Sequence, residues 1–260
     1  MTMNDGEVRL VREGGVAKVI FDRPAARNAM TWRMYEQLGE ICNQLHHDPA
    51  VRVAVFRGAG GKAFVAGTDI AQFLEFKSGE DGIAYEQRME GTLGALESLP
   101  IPTLAVVEGW AIGGGLAIAA CCDLRIATPG SRFGVPIART LGNCLSVANT
   151  ARLVAALGVA RAKRVLLLGE TIAAEEALAG GFLAEIVEAS EIDRRVADLC
   201  HRLLHNAPIT MRVAKEAMRR LLHAGLAEDE DLVRACYGSD DFREGVRAFV
   251  DKREPQWTGR

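Results

Sequence analysis

Polar and apolar positions alternate along Val16-Ala17-Lys18-Val19-Ile20-Phe21, the period-two signature of a half-buried strand. Val8–Val11 reads as its hairpin partner across Glu13-Gly14-Gly15. After Asp22-Arg23-Pro24 breaks this pattern, the period changes. Thr31 is placed to cap a helix carrying Met34, Leu38, Ile41, Cys42 and Leu45 on one face. Val51–Phe56 is a second strand, ended by Gly58–Gly61, and the polar stretch from about Phe73 to Gly82 reads as a mobile loop before a helix that runs to Leu99. Pro100 and Pro102 then introduce a strand over Thr103–Val107, followed by a glycine turn and a helix of small residues, and Leu124–Ala127 is a further strand. Helical spacing returns over Ser146–Leu157, Arg161–Leu168 and Ala173–Ala179, with a last short strand at Leu183–Val187. From Glu191 to Lys252 the pattern is helical throughout, broken near Pro208 and Gly238. Strands alternating with helices, then helices alone, predict an α/β core over residues 1–190 and a helical region over 191–260 that packs on the core and on neighbouring subunits.

Composition narrows the class of protein. A chain of 260 residues that is 49% hydrophobic can bury a core without staples. Its 31 basic and 34 acidic side chains show no basic stripe or acidic tail, which argues against nucleic acid or a membrane surface as partner. The six cysteines include no Cys-x-x-Cys, so packed, reduced thiols in a cytoplasmic protein are expected. The start Met1–Glu7 is polar and acidic, unlike a secretory signal, and the apolar run Trp110–Cys122 is too short and too rich in glycine to span a bilayer.

The chemistry centres on Gly113-Gly114-Gly115. It lacks the Gly-Lys-Ser/Thr of a phosphate loop and does not fit Gly-x-Gly-x-x-Gly, so a nicotinamide-dependent dehydrogenase is disfavoured. Upstream lies Phe64-Val65-Ala66-Gly67-Thr68-Asp69-Ile70. Two glycine turns can each aim a backbone N–H at one oxygen and so form an oxyanion hole. No Gly-x-Ser-x-Gly elbow is present. Asp69 is a possible base, with a helix cap as the simpler role, and Cys144 is a possible nucleophile, with buried filler as the simpler role. His201 and His205 have the i, i+4 spacing of zinc ligands but lack the intervening acid, so no metal site is expected.

Several segments, taken together, resemble the crotonase, or enoyl-CoA hydratase/isomerase, superfamily. They are Arg23-Pro24 with Asn28-Ala29, Ala63-Phe64-x-Ala66-Gly67-x-Asp69-Ile70, and Gly109-x-Ala111-x-Gly113-Gly114-Gly115 closing on Cys122-Asp123-Leu124-Arg125. Phe133-Gly134-x-Pro136, Ala173-x-Glu175-x-Ala177 with Gly181, and Phe249-x-x-Lys252-Arg253 follow in family order. The resemblance implies a spiral of ββα repeats whose C-terminal helices trimerise, often into a dimer of trimers. It implies an acyl-CoA substrate, with coenzyme A part of that substrate and no separate cofactor. By position, the N–H groups of Ala66 and Gly114 would hold the thioester oxygen. Arg27, Ala29 and the run Ala66, Gly67, Thr68, Asp69 and Ile70 would line the CoA cleft, and Phe249 and Lys252 would approach its nucleotide end.

The same resemblance exposes two departures. Hydratases of the family carry two glutamates that hold and deprotonate water; the corresponding places here are Ala117 and Ile137, which cannot move a proton. The aspartate used by some isomerases and dehalogenases is also missing near Gly142-Asn143-Cys144-Leu145-Ser146. Candidate auxiliary groups, placed by segment only, are Asp69, Arg139, Asn143 and Cys144, with Arg139 suited to binding an acyl carboxylate or polarising a substrate oxygen; Glu75, Glu86 and Glu90 are further carboxylates able to fold into the cleft. Two functions follow: a thioester-processing enzyme with an atypical catalytic set, or an acyl-CoA binding protein that kept the fold and lost the chemistry.

Overall fold

The computed structural model describes residues 5–260. Strands β1 (Glu7–Glu13) and β2 (Val16–Asp22) form the expected antiparallel hairpin, with Glu13 opposite Val16. The turn residues Gly14 and Gly15 both have positive φ, 53° and 84°, as a two-residue turn between twisted strands requires. Beyond a short 3-10 turn at Pro24–Ala26, Arg27 and Asn28 are left-handed. Asn28 is buried, and its amide fixes that shape: Oδ1 accepts from the Arg23 N–H, and Nδ2 donates to the Ala59 and Ala63 carbonyls. Helix α1 (Trp32–His46) starts where expected, with the Thr31 side chain accepting from the Met34 N–H.

Three ββα units follow. They are β3 (Val53–Gly58), β4 (Ala63–Val65) and α2 (Gly79–Glu97); β5 (Thr103–Val107), β6 (Trp110–Ile112) and α3 (Gly114–Cys121); and β7 (Leu124–Ala127), β8 (Arg132–Gly134) and α4 (Ile137–Thr140). Helices α5 (Val147–Leu157) and α6 (Val159–Leu167), strand β9 (Thr171–Ala173), helix α7 (Ala174–Ala179) and strand β10 (Glu185–Ile186) complete the core. The first strand of each unit joins a six-stranded sheet, β1-β2-β3-β5-β7-β10, and the second joins a four-stranded sheet, β4-β6-β8-β9. The chain therefore winds as a spiral between two sheets. Strand β5 is buried along its whole length, which is why Leu104–Val107 is a continuous apolar run rather than an alternation, while the buried hydroxyl of Thr103 donates to Asp123.

The C-terminal region comprises α8 (Ile192–His205), α9 (Pro208–His223), α10 (Glu230–Tyr237) and α11 (Asp240–Asp251). Helix α8 covers the larger sheet, setting Ile192, Leu199 and Cys200 against Val53, Val55, Leu104 and Val106. Helix α10 closes over α2 and α11 over the 3-10 helix Ile70–Glu75, where Val233, Tyr237, Phe242 and Val246 meet Phe73 and Ile83. Helix α9 buries no side chain, and Ile209, Val213, Met218 and Leu221 lie exposed along it.

Two expectations need correction. The stretch 73–82 is not a loop: a 3-10 helix spans Ile70–Glu75, and α2 begins at Gly79. Asp81 makes this start possible by accepting from the Lys77 and Ser78 N–H groups, which satisfies donors that the first turn of a helix leaves free. The helical tail also has a gap at 224–229, in addition to the breaks near Pro208 and Gly238. Among the described residues, no helix is long and apolar enough to cross a membrane.

Candidate active site

Strands β4 and β6 are parallel neighbours in the smaller sheet, so the turns that leave their C-terminal ends lie side by side. Each glycine of the triplet has its own reason to lack a side chain. Gly113 sits at φ 54°, outside the range most residues tolerate. A Cβ on Gly115 would fall 2.0 Å from the Val65 carbonyl, and one on Gly114 would fall 2.2 Å from the Tyr35 hydroxyl. Gly114 opens α3, so its N–H has no partner four residues earlier, and it sits at the positive end of the helix.

The turn after β4 is pinned to residue 30: the Met30 N–H donates to the Gly67 carbonyl, and the Asp69 N–H to the Met30 carbonyl, each at 2.8 Å. Ala66 differs from expectation. Its N–H donates to the Arg27 carbonyl at 3.1 Å, so it is already committed within the protein. The left-handed turn at Arg27-Asn28 is what brings that carbonyl over it. The parallel bridge between Met30 and Thr68 turns the Thr68 backbone N–H away from the pairing, and among the described residues it meets no acceptor. The Thr68 hydroxyl lies 2.9 Å from the Tyr35 hydroxyl and 3.3 Å from that of Tyr85. The residue beside Gly114 with a free backbone donor is thus Thr68.

These turns form one wall of a largely apolar cavity of about 150 Å³. Ala117 and Ile137 line it, in the two places where the family pattern calls for glutamate. The carboxylate in the cavity comes from α2 instead. Glu86 lines it while only 5% exposed. Its Oε1 accepts from the Tyr237 hydroxyl at 2.8 Å, and its Oε2 accepts from the Ser146 N–H at 2.9 Å. Burial raises its pKa to about 7, a rise that these two hydrogen bonds oppose. Asn143 also lines the cavity and donates through Nδ2 to the Tyr237 hydroxyl at 3.2 Å. The Oδ1 atoms of Asn143 and of Asn149, another cavity residue, are buried without a protein donor. Burial holds the phenols of Tyr35, Tyr85 and Tyr237 above their ordinary range, so all three stay neutral.

Other expected site residues lie elsewhere. Asp69 takes the simpler role: it caps the 3-10 helix through the Ala71 N–H and pairs with Arg23 at 2.8 Å, outside the cavity lining. Arg139 is exposed on α4 and leans on Gly169 rather than into the cavity. Cys144 packs beside the α10–α11 cluster, and its contact with Cys236, together with burial, raises its thiol pKa, which is the opposite of an activated nucleophile. Ile70 and the half-exposed Phe249 do line the cavity, the latter from the same chain. Arg27 and Lys252 are exposed, and Ala29 is half-buried. His205 turns its Nδ1 to the His201 carbonyl, and among the described residues no three potential metal ligands cluster. The sequence offered one signal for Glu86: it falls on the same face of α2 as Ile83, Met89 and Leu93, an acid on an apolar stripe. Tyr237 and Asn149 gave none.

The family model for enoyl-CoA hydratase/isomerase matches residues 11–260. The chain belongs to the enoyl-CoA hydratase/isomerase family. This enoyl-CoA hydratase/isomerase family member is 33% identical to the short-chain-enoyl-CoA hydratase of Clostridium acetobutylicum, over 97% of each chain. It is 34% identical to the mitochondrial enoyl-CoA hydratase domain-containing protein 2 of Bos taurus, over 94% of this chain and 85% of the relative. Among solved structures, methylmalonyl-CoA decarboxylase in complex with 2-nitronate-propionyl-CoA superimposes with a TM-score of 0.88 at 28% identity, covering 97% of this chain and 98% of the other. The crotonase-like α/β architecture is therefore shared with proteins whose names carry different reactions.

Proposed function

We propose that this chain processes acyl-CoA thioesters by stabilising a thioester enolate between the backbone N–H groups of Gly114 and Thr68. One observation carries this reading: two turns at adjacent strand ends bring an uncommitted N–H each to one wall of a buried apolar cavity. Preorganised donors of this kind are worth about 3–4 kcal/mol each in a dry site. Two further features support it. Ile70 and the half-exposed Phe249 give the cavity apolar lining suited to a pantetheine arm, and the exposed cations Arg27 and Lys252 suit CoA phosphates. With Ala117 and Ile137 in place of glutamates, water addition by the family's two-glutamate route is not expected. The exposed apolar residues of α9 are proposed to pack against other subunits, in a trimer or a dimer of trimers.

The test is incubation with a panel of acyl- and enoyl-CoAs in heavy water, read by product mass. Deuterium uptake next to the carbonyl, loss of a group or hydrolysis is the expected result. Binding of thioesters with no mass change in any of them would instead identify an acyl-CoA binding protein, the reading that the missing glutamates favour.

A further inference from the structure

The cavity contains one carboxylate and no partner cation for it. Among the described residues, the groups bonded to Glu86 are the Tyr237 hydroxyl and the Ser146 N–H, both neutral. The titratable groups facing it are Tyr35 from α1, Tyr85 and Glu90 from its own helix, Cys144 from the loop before α5, and Asp229, Cys236 and Tyr237 from the start and body of α10. The acids among them, Asp229 and Glu90, resist a charge on Glu86, and nothing nearby neutralises it. A buried carboxylate without a cation is costly for stability, so its presence beside two free N–H donors needs an explanation beyond packing.

We propose that Glu86 is the acid–base residue of this site, carrying the proton that leaves and returns to the acyl chain, with Tyr237 and Asn143 as its positioning residues. This assignment rests on the enolate reading above. The Asn143 amide donates to the Tyr237 oxygen, which commits the phenolic proton to Glu86 Oε1. The carboxylate is thereby held in one orientation while keeping a lone pair on each oxygen for a substrate proton. The balance of the step is simple. Glu86 takes a proton from the carbon next to the thioester carbonyl; the C–H electron pair becomes the enolate, with negative charge on the oxygen facing Gly114 and Thr68. The protonated Glu86 then trades its proton for a deuteron of heavy water and delivers that to the same carbon, giving exchange, or passes its proton to the γ-carbon of an unsaturated chain, moving the double bond. No oxidant or metal enters the balance, and water enters only by exchanging the proton held on Glu86. One base that both takes and returns a proton suits double-bond migration, whereas water addition in this family uses two carboxylates.

A pKa near 7 fits this cycle, because such a group gains and loses a proton with little driving force at neutral pH. The experiment follows deuterium uptake into butyryl-CoA and double-bond migration in but-3-enoyl-CoA. For wild type, both rates are expected to rise with pH along a limb near 7. Glu86→Gln is expected to lower them about 10²–10⁴-fold while thioester affinity stays within a few-fold. Tyr237→Phe, which removes a donor and one hold on the orientation of the carboxylate, is expected to lower turnover less than Glu86→Gln does and to move the limb to higher pH. That readout would not follow from a merely structural tyrosine, and it serves even if the Gln variant fails to fold. Wild-type rates in Glu86→Gln, or an unmoved limb in Tyr237→Phe, would overturn the role of Glu86 and leave the enolate reading standing. Wild type that binds both thioesters and exchanges neither would overturn this assignment together with the enolate step.

Discussion

Helix α2 places carboxylates in two settings about a turn apart, and the difference between them lies in a single guanidinium. At Glu90 and Glu97, the buried Arg152 of α5 reaches both acids, bonding Glu90 through two contacts of 2.6 Å and Glu97 at 3.0 Å, and His223 of α9 adds a contact of 2.7 Å to Glu97. That cluster is tied off: charge meets charge and three helices are fastened together. At Glu86 the same helix buries an acid with neutral donors alone. The first arrangement suits architecture. The second, with no cation to hold the charge, is the one proposed to exchange a proton with substrate.

The sharpest way to break the comparison is to remove the cation. Arg152→Met is expected to cost about 3–5 kcal/mol in urea unfolding, because it removes the buried guanidinium that Glu90 and Glu97 share and leaves Glu97 with His223 alone. Adding Glu90→Gln and Glu97→Gln to that variant should recover much of the loss; no recovery would show that packing, not charge, dominates there. The next effect is a pH dependence at Glu86. Its folded-state pKa lies above the unfolded value, so the native state binds the proton more tightly. The associated stability is fully present below about pH 4.5 and is lost as pH rises through about 7. Relative to Glu86→Gln, wild type should therefore lose up to about 3 kcal/mol across that window. A constant difference between the two proteins from pH 4.5 to 8 would contradict it. The smallest effect belongs to Asp69, which has both a cation and a cap. Asp69→Ala should cost about 1 kcal/mol and leave deuterium exchange within a few-fold of wild type, as assayed on butyryl-CoA.

Much of the spiral was legible because its signals are local. The alternation over Val16–Phe21, the glycines of the hairpin and the Thr31 cap each determine structure within a few residues, and the structure contains all three. The start of α2 was hidden because its first turn is held by Asp81 reaching back to Lys77 and Ser78, so a polar, glycine-bearing stretch is helical without looking so. The donor at Ala66 was misplaced for a different reason. Whether a backbone N–H is free depends on which carbonyl lies over it, and here that carbonyl belongs to Arg27, far away in sequence. Asp69 and Cys144 were named as alternatives to their simpler roles, and the structure gives them those roles. Glu86 was named only as one of three open carboxylates, because its depth is set by α10 and the 143–146 loop closing over it, contacts that no local pattern encodes.

The pairing of β4 with β6 has one further consequence. The donors proposed for the enolate hang from neighbouring rungs of a peptide ladder, and no side chain is needed to aim them. On the proposed reading, catalytic identity is interchangeable tooling around a fixed anvil. Positions 86, 117 and 137 all open onto the same chamber, so a lineage or an engineer can move the working acid from one wall to another while the anvil stays where the sheet put it.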